Sequence, residues 1–258
     1  MGQISIKGGL KRYDAPMYER NLDGDVVGLI DRNDNSPVVV TNQVFANVAA
    51  MLAETPAANT VAFLAPGAFV GDGSPVAPVP VIYTGTRWAP LNNRQQLFKA
   101  QFGTIAAPSM TLTGAPAAFP LSAYPTIPAG LIQVGDTLRF EYRIRRTGTA
   151  AMSHALYFGA HATYNSNVAP IGPHSGSVVD LGGHDYASEF TFVSATAGVS
   201  TRQLTLNSAT GALALVDLSA NVNIAADQKA YPAITVLSGT DSVALVHLEI
   251  VWIAGKLL

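Results

Sequence analysis

Cysteine is absent from all 258 residues, which removes both disulfide staples and thiolate chemistry. Charge is nearly as scarce. Asp, Glu, Lys and Arg supply 12% of the chain, against roughly a quarter in ordinary soluble domains. A formal net charge of −2 leaves no electrostatic footprint for nucleic acid and no polybasic signal for a membrane surface. Long apolar runs are missing too. None reaches the ~18 residues of a membrane span, and the nearest approach, 243–254, is broken by His247 and Glu249. The opening M-G-Q-I-S-I-K-G-G lacks the apolar centre of a secretion signal. These absences predict a protein made in a cytoplasm, without membrane insertion and without nucleic acid as a partner.

Catalytic signatures are absent as well. The nucleophile elbow G-x-S-x-G does not occur, and in Gly172–Gly176 (G-P-H-S-G) the serine is displaced by one position. The glycine-rich run Gly67–Ser74 has no lysine to hold a phosphate. The turn at Asp31, Asn33 and Asn35 imitates a calcium loop but has Ser36-Pro37 where the glycine belongs and Asn42 where the bidentate glutamate belongs. Glycosidase chemistry needs two carboxylates about 5–10 Å apart. The nearest group in sequence is Asp180, Asp185 and Glu189. The chain is therefore expected to be no enzyme, with no cofactor and no metal.

What the chain does have is apolar residues in regular patterns. Hydrophobic residues make up 48% of a 26.9 kDa chain, enough for a sizeable core. With so little charge, its surface is built from small residues or is partly hidden by other subunits. The clearest pattern runs over 137–145: Leu138, Phe140, Tyr142 and Ile144 alternate with Arg139, Glu141, Arg143 and Arg145. Period-two alternation is the mark of a half-buried strand. The Thr147-Gly148-Thr149 break, followed by a second aromatic run, predicts a hairpin.

Elsewhere the period changes. Val44, Val48, Met51 and Leu52 predict a helix over 41–54, capped by Thr41 or Asn42 and stopped at Thr55-Pro56. From Gln95 onward about ten short strands recur between turns, the rhythm of an antiparallel β-sandwich of jelly-roll type. The last, 243–253, is apolar on both faces, with Val246, Leu248, Ile250 and Trp252 together on one of them. Such a strand sits mid-sheet or against another chain. The division expected is an attachment arm with a hairpin over 1–40, a small α+β module over 41–94 and the sandwich over 95–258. Trp88, at the seam between module and sandwich, is expected to matter less to stability than Trp252.

Several ordered stretches then agree with one family. Tyr83–Asn92, Y-T-G-T-R-W-A-P-L-N, resembles the W-D-G-T-R-W-R-P-L-N-G passage of bacteriophage tail-fibre and related appendage proteins. The run 125–150, with I-P-A-G and then G-D-T-L-R, resembles the start of their C-terminal domain, and Leu248–Leu258 resembles its last strand. Asn93 stands where that family has glycine. The resemblance implies a non-enzymatic virion protein, a homotrimeric tail or baseplate fibre. Its sandwich would be exposed and bind a host-surface glycan, while its N-terminal region would hold other virion proteins. A head or collar decoration is one alternative. A carbohydrate-binding module or polysaccharide depolymerase is the other.

Binding residues are sought among rings near turns with polar neighbours, since sugar recognition uses both. Tyr124 lies in a proline-rich connection, and the candidates for a surface site are Tyr157, Tyr164, His174, His184, Asp185 and Tyr186. His174 and His184 are expected in loops, and His154 and His161 are expected to lie on one strand, seven residues apart.

Overall fold

A computed structural model describes residues 18–20, 26–30, 37–102, 109–110, 116–146, 152–164, 171, 174–176, 183–202, 215–217, 222–237 and 242–255. The fold is mainly β. Strands β1 (Tyr18–Arg20), β2 (Val26–Ile30) and β3 (Pro37–Phe45) are followed by one short helix, α1 (Val48–Leu52). Strands β4 (Thr60–Leu64), β5 (Val79–Tyr83) and β6 (Trp88–Pro90) complete a six-stranded sheet in chain order. Its neighbours are antiparallel except β3 and β4, which run parallel around α1.

The remainder forms a sandwich of two antiparallel sheets. It begins with β7 (Arg94–Gln101), β8 (Ser109–Met110), β9 (Ala117–Ala118), β10 (Thr126–Ile127), β11 (Thr137–Arg146) and β12 (Met152–Gly159). It continues with β13 (His174–Gly176), β14 (Gly183–Ser194), β15 (Ala197–Arg202), β16 (Leu215–Asp217), β17 (Gln228–Leu237) and β18 (Val243–Ile253). The larger sheet has the order β16-β15-β14-β11-β18-β7, with β8 also on β18. The smaller has the order β10-β17-β12-β13, with β9 also on β17.

Three local expectations are corrected. The helix is only five residues long, because β3 carries the extended backbone of its β-branched run through Phe45. Asn47 is the N-cap, its side chain accepting from the Ala50 N–H at 2.8 Å. No hairpin joins β11 to β12. Both edges of β11 are taken, by β14 and β18, so the chain crosses to the other sheet and pairs there with β17 and β13. The Tyr142 hydroxyl and His154 Nδ1, 2.7 Å apart, tie the two sheets across that crossing. The last strand changes phase at a bulge opposite Arg143 and Ile144. Val243 and Leu245 thus join Leu248, Ile250 and Trp252 in the core, while Val246 is half-buried. β18 sits mid-sheet between β11 and β7, and the bulge turns apolar residues of both alternating sets toward the core.

The alternation over β11 holds throughout. Leu138, Phe140, Tyr142 and Ile144 are buried among Phe158, Phe190 and Phe192, while the charged residues face outward. One buried cluster continues from these rings to Phe45, Met51, Leu64 and Trp88, so module and sandwich share a core.

At their junction lies an ion pair. Asp136, just before β11, is wholly buried, and Arg87, just before β6, meets it at 2.7 Å. All four acceptor positions of the carboxylate are used. Oδ1 takes Arg87 Nη1 and the Gly255 N–H at 2.9 Å. Oδ2 takes the Gln133 N–H and Trp252 Nε1, each at 3.0 Å. The second guanidinium nitrogen donates to the Gly255 carbonyl at 3.1 Å. Gly255 has no substitute here, because a Cβ on it would lie 2.1 Å from the Gly135 oxygen. Trp88 stands beside the pair, edge-on to Phe45 and Tyr83 at 5.4 Å, and donates to the Glu54 carbonyl.

This burial changes what is expected of the two tryptophans. Trp252 is 0% exposed and Trp88 2%, so neither is a loose seam residue. Each change to Ala is expected to cost ~3–5 kcal/mol, a large part of the ~5–15 kcal/mol that stabilises a domain. Urea midpoints check this. A Trp88→Ala midpoint near wild type beside a collapsed Trp252→Ala would show that the module packs only loosely.

Candidate functional site

The inner face of the smaller sheet needs apolar area, and the sequence supplies it with Leu156 and Phe158 on β12 and Ala230 and Ile234 on β17. Alternation then throws the intervening residues to the outer face. There Ala155 and Tyr157 on β12 lie opposite Ala233 and Tyr231 on β17. Ala118 on β9 extends the alanine row. Two further tyrosines close over these: Tyr124, from the proline-rich connection, and Tyr164, from the loop after β12. The result is a second cluster, separate from the main core and built around four tyrosines.

The rings touch in a chain. Tyr124 and Tyr231 have centroids 4.6 Å apart, Tyr164 and Tyr231 6.2 Å, and Tyr157 and Tyr164 5.1 Å at 88°. Two hydroxyls are anchored. Tyr124 donates to the Phe119 carbonyl at 2.8 Å, and Tyr231 to the His161 carbonyl at 2.7 Å. His161 Nε2 is sheltered and has no hydrogen-bond partner among the described residues, while the Tyr164 hydroxyl interacts with that of Tyr157. Lys229 Nζ, two residues before Tyr231 on the same face, donates to the Ala162 carbonyl at 3.2 Å. Tyr157 and Tyr231 are buried, and Tyr124 and Tyr164 are half-exposed.

Burial raises the pKa of three of these four phenols. It pushes Tyr231 up to about 12, with nearby Tyr124 adding to the effect. It raises Tyr164 further still, helped by Tyr157, and also raises Tyr124. At neutral pH Tyr124, Tyr164 and Tyr231 therefore offer ring faces and O–H groups. Ring faces with a few hydroxyls suit binding.

The sequence candidates divide. Tyr157 and Tyr164 meet in this cluster. Tyr186 does not: it is 3% exposed, inside the sandwich against Tyr142 and His154. His174 belongs to β13 and His184 and Asp185 to β14, on strands rather than in loops, and their side chains lie outside the described residues. His161 follows the end of β12 instead of sharing its strand with His154. Asp180 and the Asp31–Asn35 turn also lie outside the described residues. Tyr231 carried a usable signal, the alternation of Tyr231, Ala233 and Lys229 on one face, but its phase becomes legible only once β17 is seen to begin at Gln228.

Other places are less suited to chemistry. Among the described residues no three metal-ligating side chains gather, and no helix is long and apolar enough to cross a membrane. Glu141 and Glu249 stand opposite each other on β11 and β18. Each is engaged on the outer sheet face, Glu141 by Arg139 at 2.6 Å and Glu249 by Gln96 and, at 3.6 Å, His247. An open hollow of about 510 Å³ is lined by Asp72, Gln101 and Ser122 among others. Both oxygens of Asp72 are already taken by Ser122, which pins the Pro66–Pro80 loop to the sandwich.

No family model matches this chain, and no curated protein does. A solved structure described as "CBM4 structure and function" matches over 72% of this chain and 94% of its own, at 12% identity and a TM-score of 0.26. At that score the likeness carries no argument.

The raised phenols set a pH dependence. An unfolded tyrosine loses its proton near pH 10, whereas the folded Tyr231 keeps it to about 12. The folded chain then binds more protons than the unfolded one, so stability is full below pH ~10 and falls as pH rises through that window. Urea midpoints measured across it should drop, and Tyr231→Phe should flatten part of the drop. A level profile in the wild type would contradict the burial described.

Proposed function

We propose that this chain is a non-catalytic binding subunit of a phage virion appendage, a homotrimer in which the α+β module is the base and the sandwich is the exposed end. The observation that supports it most is the buried pair of Arg87 and Asp136. Arg87 belongs to the Y-T-G-T-R-W stretch and Asp136 to the G-D-T-L-R stretch, the two passages that resemble appendage proteins. Their joining through one saturated carboxylate gives both motifs a shared physical purpose, which is to fix the sandwich rigidly on its base. A part that must transmit force or hold an orientation needs that rigidity. Residues 1–40 are assigned to attachment.

Light scattering on the purified chain should give about three times its 26.9 kDa, and gold-labelled antibody should mark an external appendage in micrographs of virions. A monomer whose mass does not change with concentration would remove the trimer. Label confined to cell debris would remove the virion.

A second reading, a carbohydrate-binding protein, is favoured by the four-tyrosine cluster on the outer sheet face. The two readings are compatible, because an exposed appendage that binds a surface glycan satisfies both. Neither involves turnover of the ligand.

A further inference from the structure

We propose that Tyr124 and Tyr164 form a stacking platform for a pyranose ring of a neutral hexose polysaccharide, with Tyr157 and Tyr231 as its support. This rests on the carbohydrate-binding reading and gives it a location. The composition of the cluster is the first argument. A small core under a loop needs only apolar area, which Phe or Leu provides without a hydroxyl to satisfy. In the sandwich interior Phe140, Phe158, Phe190 and Phe192 pack ring to ring, and tyrosines are the minority there, Tyr142 and Tyr186. On the opposite face of the same smaller sheet every clustered ring is a tyrosine. Apolar burial alone does not account for that choice.

The second argument is the state of the polar atoms. The anchored hydroxyls of Tyr124 and Tyr231 fix their rings, so ordering them costs a ligand little. His161 Nε2, in the loop over the cluster, is left without a partner among the described residues. Such a group is uncommon in folded proteins and calls for a water, an ion or a ligand. Lys229 Nζ has one described acceptor and further protons to donate. Aromatic faces with a few convergent polar groups around them are what a sugar ring requires, because its C–H face stacks and its hydroxyls bond. Tyr124 and Tyr164 are only partly buried, so part of each side chain is open to a ligand.

The test uses the full chain and hexasaccharides of glucose, galactose and mannose, with calorimetry for affinity and saturation transfer from protein aromatic protons for contact. At least one hexasaccharide should bind. Tyr124→Ala and Tyr164→Ala should each weaken it about ten-fold, while Tyr164→Phe should retain most affinity and Glu189→Gln, on the other sheet, all of it. If an alanine variant fails to fold, the Tyr164→Phe affinity and the aromatic saturation transfer of the wild type decide. A hexasaccharide that binds equally to the alanine variants, or receives no aromatic saturation, would overturn the platform and leave the carbohydrate reading standing. If none of the three binds the wild type, both fall.

Discussion

Removing an aspartate wholly from water costs several kcal/mol unless every oxygen finds a donor and the charge finds a partner. At Asp136 both conditions are met, and the donors come from widely separated parts of the chain. Arg87 approaches from the turn before β6, Trp252 from the last strand, Gly255 from beyond that strand and Gln133 from the turn before β11. The main chain of the same residue accepts from Phe192 on β14. A single side chain thereby fixes the base sheet, the start of the central strand and its end relative to one another. Loss of any donor would leave part of a buried charge uncompensated, which is why the surrounding geometry admits so little change.

That anchoring has a functional corollary. With the core shared between module and sandwich, the outer sheet faces are the surfaces left for work. The larger sheet presents an interleaved charge ladder, Arg139 with Glu141 and Glu189, whose exposed pairs contribute little individually. The smaller sheet presents rings. The groups described there are four phenols with the His161 imidazole and the Lys229 side chain beside them.

Much of the fold could be read from residues alone. Alternation identified β11 nearly to the residue, and an apolar run did the same for β18. What was not legible depends on who pairs with whom. A hairpin and a sheet-to-sheet crossing have the same local pattern at Thr147–Thr149, and only the prior claims of β14 and β18 on β11 distinguish them. The phase change in β18 is likewise a property of its neighbour. At the site, Tyr157 and Tyr164 were recognisable as ring residues near a loop, whereas Tyr186 looked the same in sequence and proves to be core. Arg87 and Asp136 each stood in a recognised stretch, yet 49 residues separate them and no spacing rule connects such a pair.

A double-mutant cycle on Arg87→Gln and Asp136→Asn, read as urea unfolding free energies, tests the central claim directly. If the pair joins the module to the sandwich as described, each single change costs ~3–5 kcal/mol and the double change costs far less than their sum, leaving a coupling of at least ~2 kcal/mol. Costs that add to within ~0.5 kcal/mol would show that the two residues act independently, and the account of a base locked to its sandwich would be wrong.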